Sequence, residues 1–77
     1  MTDRVIARIG RPRGEEVRVQ LSDFQGCTYV SVRTWYEAEA GGMRPTPKGV
    51  TLPVTQLEEL ADAVNAAVDQ ARRDGLL

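Results

Sequence analysis

Two neighbouring segments alternate apolar and polar residues, and this pattern limits the possible fold more than any other feature of the sequence. Residues 16–24 (EVRVQLSDF) and residues 27–36 (CTYVSVRTWY) both repeat at every second position. A two-residue period is typical of a β-strand with one buried face. Residues 23–26 predict a turn between the two strands. The face expected in the core comprises Val17, Val19, Leu21, Thr28, Val30, Val32 and Thr34.

Two further strands are predicted on either side of this pair. Residues 4–9 read as a short strand that ends in residues 10–14, which hold two glycines and a proline. The double glycine at 41–42 lets the chain reverse after the third strand. Pro45 and Pro47 then confine the following strand to a sheet edge or to a late start. We therefore place the fourth strand at residues 48–52.

From Val54 onward the apolar residues recur every three or four positions, which is typical of an amphipathic helix. Thr55 and Glu58 are spaced as in a capping box at a helix start, and Gly75 predicts the stop. The predicted fold class is α+β, a four-stranded antiparallel sheet followed by one C-terminal helix (β-β-β-β-α). The apolar stripe of the helix comprises Leu57, Leu60, Ala61, Val64, Ala67, Val68 and Ala71.

The 77 residues predict a single domain, residues 1–77, with too little buried surface to be very stable alone. Cys27 is the only cysteine and histidine is absent, so an internal disulfide and an ordinary zinc site are both excluded. We expect no cofactor. A helix of about 18 residues spans about 27 Å, which is long for a small sheet to cover. We therefore expect a homodimer with the helix in its interface.

Composition argues against an enzyme and favours a small binding module. Histidine, the usual proton shuttle, is missing, and no glycine-rich phosphate loop precedes a helix. The net charge is −1, but residues 1–52 carry eight basic and six acidic side chains, whereas residues 53–77 carry two and five. This asymmetry can focus a polyanion onto one face of the molecule.

The hydropathy pattern predicts a location in the cytoplasm. No apolar run of about 18 residues and no charged-then-apolar leader occurs, so we expect no membrane interaction and no export. The single cysteine suits a reducing compartment.

A series of residues in 17–57 carries more information through its spacing than through any one member. The series comprises Asp23, Phe24, Gly26, Arg33, Trp35, Tyr36, Gly41, Met43, Arg44, Pro45, Lys48, Gly49, Leu52 and Gln56. Without a gap, it resembles the single-stranded-DNA-binding domain of the transcriptional coactivator family positive cofactor four, in a minimal bacterial or phage-like version. The resemblance implies a dimer whose curved sheets hold single strands, and association with the nucleoid if the source is bacterial.

The resemblance also implies which residues contact nucleic acid. Phe24, at the tip of a turn, is the first choice for stacking on bases, and each stack contributes about 1–3 kcal/mol. Arg33 lies on the polar face in the same row as Trp35. Adjacent residues of a strand point to opposite faces, so we expect Tyr36 to be partly buried. The candidate nucleic-acid-binding residues are Phe24, Arg33, Trp35, Tyr36, Arg44 and Lys48.

Three positions that are basic in high-affinity family members are uncharged here, namely Gln25, Cys27 and Pro47. Each lost phosphate contact flattens the salt dependence on a single strand by about 0.7 and weakens binding. Compensation could come from four arginines near the start of the chain: Arg4, Arg8, Arg11 and Arg13.

Two functions remain open at this point. The leading hypothesis is a homodimer that binds single-stranded DNA, or RNA, and acts as a transcriptional coactivator or regulator or in DNA maintenance, with the transcription machinery as a further partner. The alternative is a dimeric protein-interaction domain of the same fold with weak or lost nucleic-acid binding.

Overall fold

The structure, a computed structural model, describes residues 3–77 and consists of four strands followed by one helix. The strands form one antiparallel sheet in the order β1-β2-β3-β4, and the helix α1 follows the last strand. This order confirms the predicted α+β architecture. The bounds are β1 Asp3–Gly10, β2 Glu16–Phe24, β3 Cys27–Glu37, β4 Met43–Pro53 and α1 Leu57–Arg73.

The hairpin of β2 and β3 sets the two faces of the sheet. Val19 lies opposite Val32, and Leu21 lies opposite Val30. Partners that face each other across two strands lie on the same side of a sheet, so the predicted apolar face is confirmed. Gln25 and Gly26 connect the strands with φ of 52° and 78°. Two consecutive positive φ angles are typical of the type I′ turn that suits a two-residue hairpin loop.

β4 begins at Met43, so the predicted start at Lys48 is wrong. The strand runs through both prolines, which it tolerates because β4 is an edge strand with no neighbour on one side. Its register with β3 shifts between Arg33 and Trp35, and three residues of β4, 46–48, stand against Thr34 alone. The polar groups of this irregular segment are paired, because the Thr46 hydroxyl donates to the Thr34 carbonyl at 2.8 Å and accepts from the Lys48 amide at 3.1 Å.

The start of the helix also differs from the prediction. A single 3₁₀ turn, Val54–Gln56, precedes α1, and Gln56 occupies the N-cap position without a side-chain hydrogen bond. An N-cap residue must be non-helical, whereas Thr55 lies inside this turn, so the predicted capping box of Thr55 and Glu58 does not form.

The end of the helix follows the prediction. The Gly75 amide donates to Arg72 at 3.1 Å, and the Leu76 amide donates to Ala71 at 2.8 Å. These two bonds, with a φ of 75° at Gly75, make a Schellman motif. Within residues 3–77, no helix has both the length and the apolar character that crossing a lipid bilayer requires.

The helix covers only part of the apolar face. Val30 is 1% exposed and is the only fully enclosed apolar side chain among residues 3–77. The first turns of α1 line an open groove together with Ile9, Val19 and Val32 of the sheet. Val64, in the middle of the apolar stripe, is 54% exposed. One copy of the chain therefore leaves much of its apolar surface in contact with water.

We predict that Gly49→Ala lowers the free energy of unfolding by about 1–3 kcal/mol, because it overpacks a closed site. A Cβ at this position would lie 2.5 Å from the Val32 carbonyl oxygen and 2.7 Å from the Arg33 Cα. Gly10→Ala is the matched control, since a Cβ there meets nothing within 4 Å. Denaturant unfolding followed by circular dichroism measures both variants. Equal stability of the two variants would contradict the close packing of β3 and β4.

Candidate nucleic-acid interface

The face of the sheet that points away from α1, here called the outer face, gathers the candidate binding residues. Its members follow from strand alternation and from the register of β1, β2, β3 and β4. Polar, basic and aromatic side chains dominate this face. It comprises Asp3, Val5, Arg8, Gly10, Glu16, Arg18, Gln20, Ser22, Phe24, Cys27, Tyr29, Ser31, Arg33, Trp35, Glu37, Met43, Pro45, Gly49, Thr51 and Pro53.

Three arginines form a row across the outer face. Arg8 of β1 lies opposite Arg18 of β2, which lies opposite Arg33 of β3. Like charges directly opposite each other destabilise a sheet unless an anion lies nearby. Glu16 supplies one: its Oε2 lies 2.5 Å from Arg18 Nε and 3.6 Å from Arg8 Nε. One carboxylate thus faces two guanidinium groups, and the row keeps a net positive charge. We call Arg8, Arg18 and Arg33 the arginine row.

Trp35 lies beneath the middle arginine of the row. The Arg18 Cζ is 4.3 Å from the centroid of the Trp35 ring, within the range of a cation–π interaction. The Arg18 side chain is only 14% exposed, although no helix of the described chain covers this face. Trp35 Nε1 is buried without an acceptor among the described residues. The Arg18 guanidinium group therefore lies over the Trp35 ring.

Tyr36 is 42% exposed, so the expectation that it would be partly buried is wrong. The reason lies in strand length. Glu16 is the first residue of β2 and pairs with Trp35, so β2 ends before it can flank Tyr36. Trp35 has neighbours on both sides and is half-buried, whereas Tyr36 pairs only with Arg44 of the edge strand.

Arg33 is oriented by uncharged acceptors. Its Nη1 donates to the Thr46 carbonyl at 3.0 Å, and its Nη2 donates to the Thr51 hydroxyl at 3.1 Å. No carboxylate of residues 3–77 lies within salt-bridge distance of this guanidinium group. The irregular segment 46–48 brings the Thr46 carbonyl into place. Arg33 therefore has a defined position and an uncompensated charge, which suits a phosphate contact.

Phe24 lies at the tip of the β2–β3 hairpin and is 48% exposed, as predicted for this turn. Strand alternation places its ring on the outer face with Arg18 and Trp35. Next to it, the Thr28 hydroxyl donates to the Asp23 carboxylate at 2.8 Å, which ties the two strands together near the turn. A flat apolar ring is thus held in solvent at one end of the outer face.

The six predicted residues divide into three groups. Phe24, Arg33 and Trp35 share the outer face. Tyr36 and Arg44 are cross-strand partners one position beyond Trp35, so alternation turns them toward the opposite side. Lys48 is exposed in the irregular segment of β4.

Sequence reasoning did not select Arg18, which lies at the centre of the outer face. Its alternation with Val17 and Val19 indicates only that it faces away from the core, and the register brings it opposite Arg33. Arg8, at the near end of the same row, was considered only as a possible compensating charge.

Comparison with known proteins supports the observed fold. A family model described as transcriptional coactivator p15 (PC4) matches residues 11–63. Among solved structures, a PC4 homologue from Burkholderia pseudomallei, in two crystal forms, is 21% identical with a TM-score of 0.78. The match covers 87% of this chain and 90% or 98% of that chain.

A second structural match is a bacteriophage T5 homologue of the eukaryotic transcription coactivator PC4, described as implicated in recombination-dependent DNA replication. It is 26% identical with a TM-score of 0.71, and the match covers 100% of this chain and 85% of that chain. No curated protein matches the chain significantly.

We predict that Thr51→Val weakens binding of a single-stranded oligonucleotide about two- to tenfold, because Arg33 loses an acceptor worth roughly 0.5–1.5 kcal/mol. Valine keeps the β-branched shape that suits a strand, so stability should change little. Thr51→Ser, which retains the hydroxyl, is the control. Fluorescence anisotropy of a labelled oligothymidine measures the affinities. Equal binding by the two variants would show that this hydrogen bond does not position Arg33.

Proposed function

Because the chain belongs to the transcriptional coactivator p15 (PC4) family, we propose that it is a homodimeric single-stranded-DNA-binding protein that acts as a transcriptional coactivator or regulator or in DNA maintenance. The family is one of DNA-binding proteins. We propose that this protein binds nucleic acid without catalysing a reaction, and that it does so in the cytoplasm. The observation that carries the proposal is the outer face, on which the rings of Phe24 and Trp35 lie with Arg18 and Arg33.

The outer face offers both interactions that hold an unpaired strand. Aromatic rings stack on bases of any identity, and basic side chains follow the phosphates. In a duplex the base faces are already stacked, so an exposed ring such as that of Phe24 gains little from it. We therefore propose a preference for single strands over duplex, without sequence specificity and with affinity that falls as salt rises. Among the predicted cations, Arg33 is the best placed for a phosphate, because uncharged acceptors orient it.

The proposed dimer rests on the uncovered apolar surface. A chain of this size has to offset its conformational entropy by burying apolar side chains, and one copy encloses very few of them. The stripe of α1 and the groove beside it lie on the side of the sheet opposite the outer face. A second copy that covers the stripe would leave both outer faces open to nucleic acid. A twofold pair of this kind is the commonest oligomer.

We predict that the ring of Phe24 contributes to binding by stacking. Phe24→Leu, which keeps an apolar side chain but removes the flat ring, should weaken oligothymidine binding by about 1–3 kcal/mol, roughly 5- to 150-fold. Phe24→Tyr keeps the ring and should bind like the original chain. Anisotropy titrations at two salt concentrations, with circular dichroism to confirm folding, measure the effect.

The same titration separates the proposed function from the alternative. If Phe24→Leu binds as well as the original chain, Phe24 is not part of the site. If the original chain binds no oligonucleotide even at low salt, the fold serves as a dimeric protein-interaction domain instead. The uncharged residues Gln25, Cys27 and Pro47 would then account for the lost affinity.

We predict that Val64→Asp dissociates the dimer or prevents its folding, because a charge then lies in the middle of the apolar stripe. Ala66→Asp is the matched control, since it adds the same charge on the opposite side of α1. Sedimentation equilibrium should give twice the chain mass of 8.5 kDa for the original chain and for Ala66→Asp. A folded monomer of the original chain at micromolar concentration would overturn the proposed dimer.

A further inference from the structure

We propose that Arg8 and Arg18 form a phosphodiester-binding site that Glu16 of the same chain occupies until nucleic acid displaces its carboxylate. The inference rests on the proposed function and adds to it a second phosphate site and an internal competitor. The family resemblance assigns none of these three residues, Arg8, Arg18 and Glu16, to nucleic acid. The ligand is a backbone phosphate of a single strand.

The geometry of the Glu16 carboxylate supports this assignment. A single oxygen, Oε2, lies 2.5 Å from Arg18 Nε and 3.6 Å from Arg8 Nε. Arg8 and Arg18 are direct partners on neighbouring strands, and without an anion their charges repel. A carboxylate and a phosphate present similar anionic oxygens to guanidinium groups. Glu16 therefore lies where a phosphate oxygen would bind.

The surroundings of the pair also fit an exchange of anions. The Arg8 side chain is 61% exposed, so a phosphate can approach it from solvent while Glu16 still holds Arg18. Arg18 keeps its place on the Trp35 ring through the cation–π contact and does not depend on Glu16 alone. A displaced glutamate gains water as its new partner. The site can thus open without unfolding any strand.

Arg33, the third arginine of the row, has no carboxylate in the described part of the chain that competes with a phosphate for its guanidinium group. Arg33 is held by the Thr46 carbonyl and the Thr51 hydroxyl, which carry no charge and do not compete with a phosphate electrostatically. The arginine row therefore contains one open phosphate site and one closed by its own carboxylate. The affinity for a single strand and the salt dependence of binding should therefore both be lower than if all three arginines could bind phosphates without a competing carboxylate.

The test is Glu16→Gln in the full chain, titrated with labelled oligothymidine over a range of salt. Glutamine keeps the length of the side chain and an acceptor for Arg18, but it removes the competing charge. We expect affinity at low salt to rise roughly tenfold, in line with the strength of charged hydrogen bonds. The slope of log affinity against log salt should steepen by about 0.7–1.4, the value for one or two added phosphate contacts.

Glu15→Gln is the matched control, because it makes the same change in net charge at the neighbouring residue, which forms no ion pair within the described part of the chain. Its affinity should rise much less, and its slope should stay unchanged. Adding Arg18→Ala to Glu16→Gln should remove most of the gain.

The outcomes separate this inference from the proposed function. If the original chain binds and Arg33→Ala weakens it, but Glu16→Gln matches Glu15→Gln, the internal competitor is disproved and the proposed function stands. A fall in affinity in Glu16→Gln also overturns the inference, since it would make Glu16 a positioning residue for Arg18. If no variant binds at low salt, both ideas fail. Binding by Glu16→Gln alone would support the competitor strongly.

Discussion

The register of the β2–β3 hairpin is the constraint on which the rest of the structure depends. The type I′ turn at Gln25 and Gly26 aligns the strands so that Val19 meets Val32 and Arg18 meets Arg33. A slip of one residue would move every side chain of one strand to the other face. It would bury arginines against α1 and expose valines, so burial of the apolar face also keeps the arginines of the outer face opposite each other.

Each face of the sheet lacks a complete partner in the described part of the single chain. The apolar face has more surface than one helix covers, and a second copy would bury the remainder. The outer face holds three arginines in a row with one glutamate, and a polyanion would supply further negative charge to this row. Local charge rather than the net charge of −1 therefore governs what this surface attracts. Because the faces are opposite, the two partners need not compete for space.

Local patterns predicted correctly those elements in which the type of each residue matches its own burial or backbone conformation. The alternation of β2 and β3 and the Gly75 stop of α1 belong to this group. The start of β4 and the start of α1 were missed because each depends on a neighbour. Pro45 is acceptable in β4 only because this strand lies at the edge of the sheet and has no neighbour among the described strands on one side. Thr55 does not cap α1 because the chain leaving β4 first forms a 3₁₀ turn that contains it. The 42% exposure of Tyr36 likewise reflects where another strand ends.

The sequence by itself determined the chemical character of each face and the exposed ring at the hairpin tip, because these follow from residues close together along the chain. It also determined membership of the family, through the spacing of residues within 11–63. Only the tertiary structure decided that Arg8, Arg18 and Arg33 face one another, that Arg18 covers Trp35 and that Glu16 lies between two arginines. The physical reason is cross-strand register. It joins residues of different strands, and no periodicity within one strand specifies it.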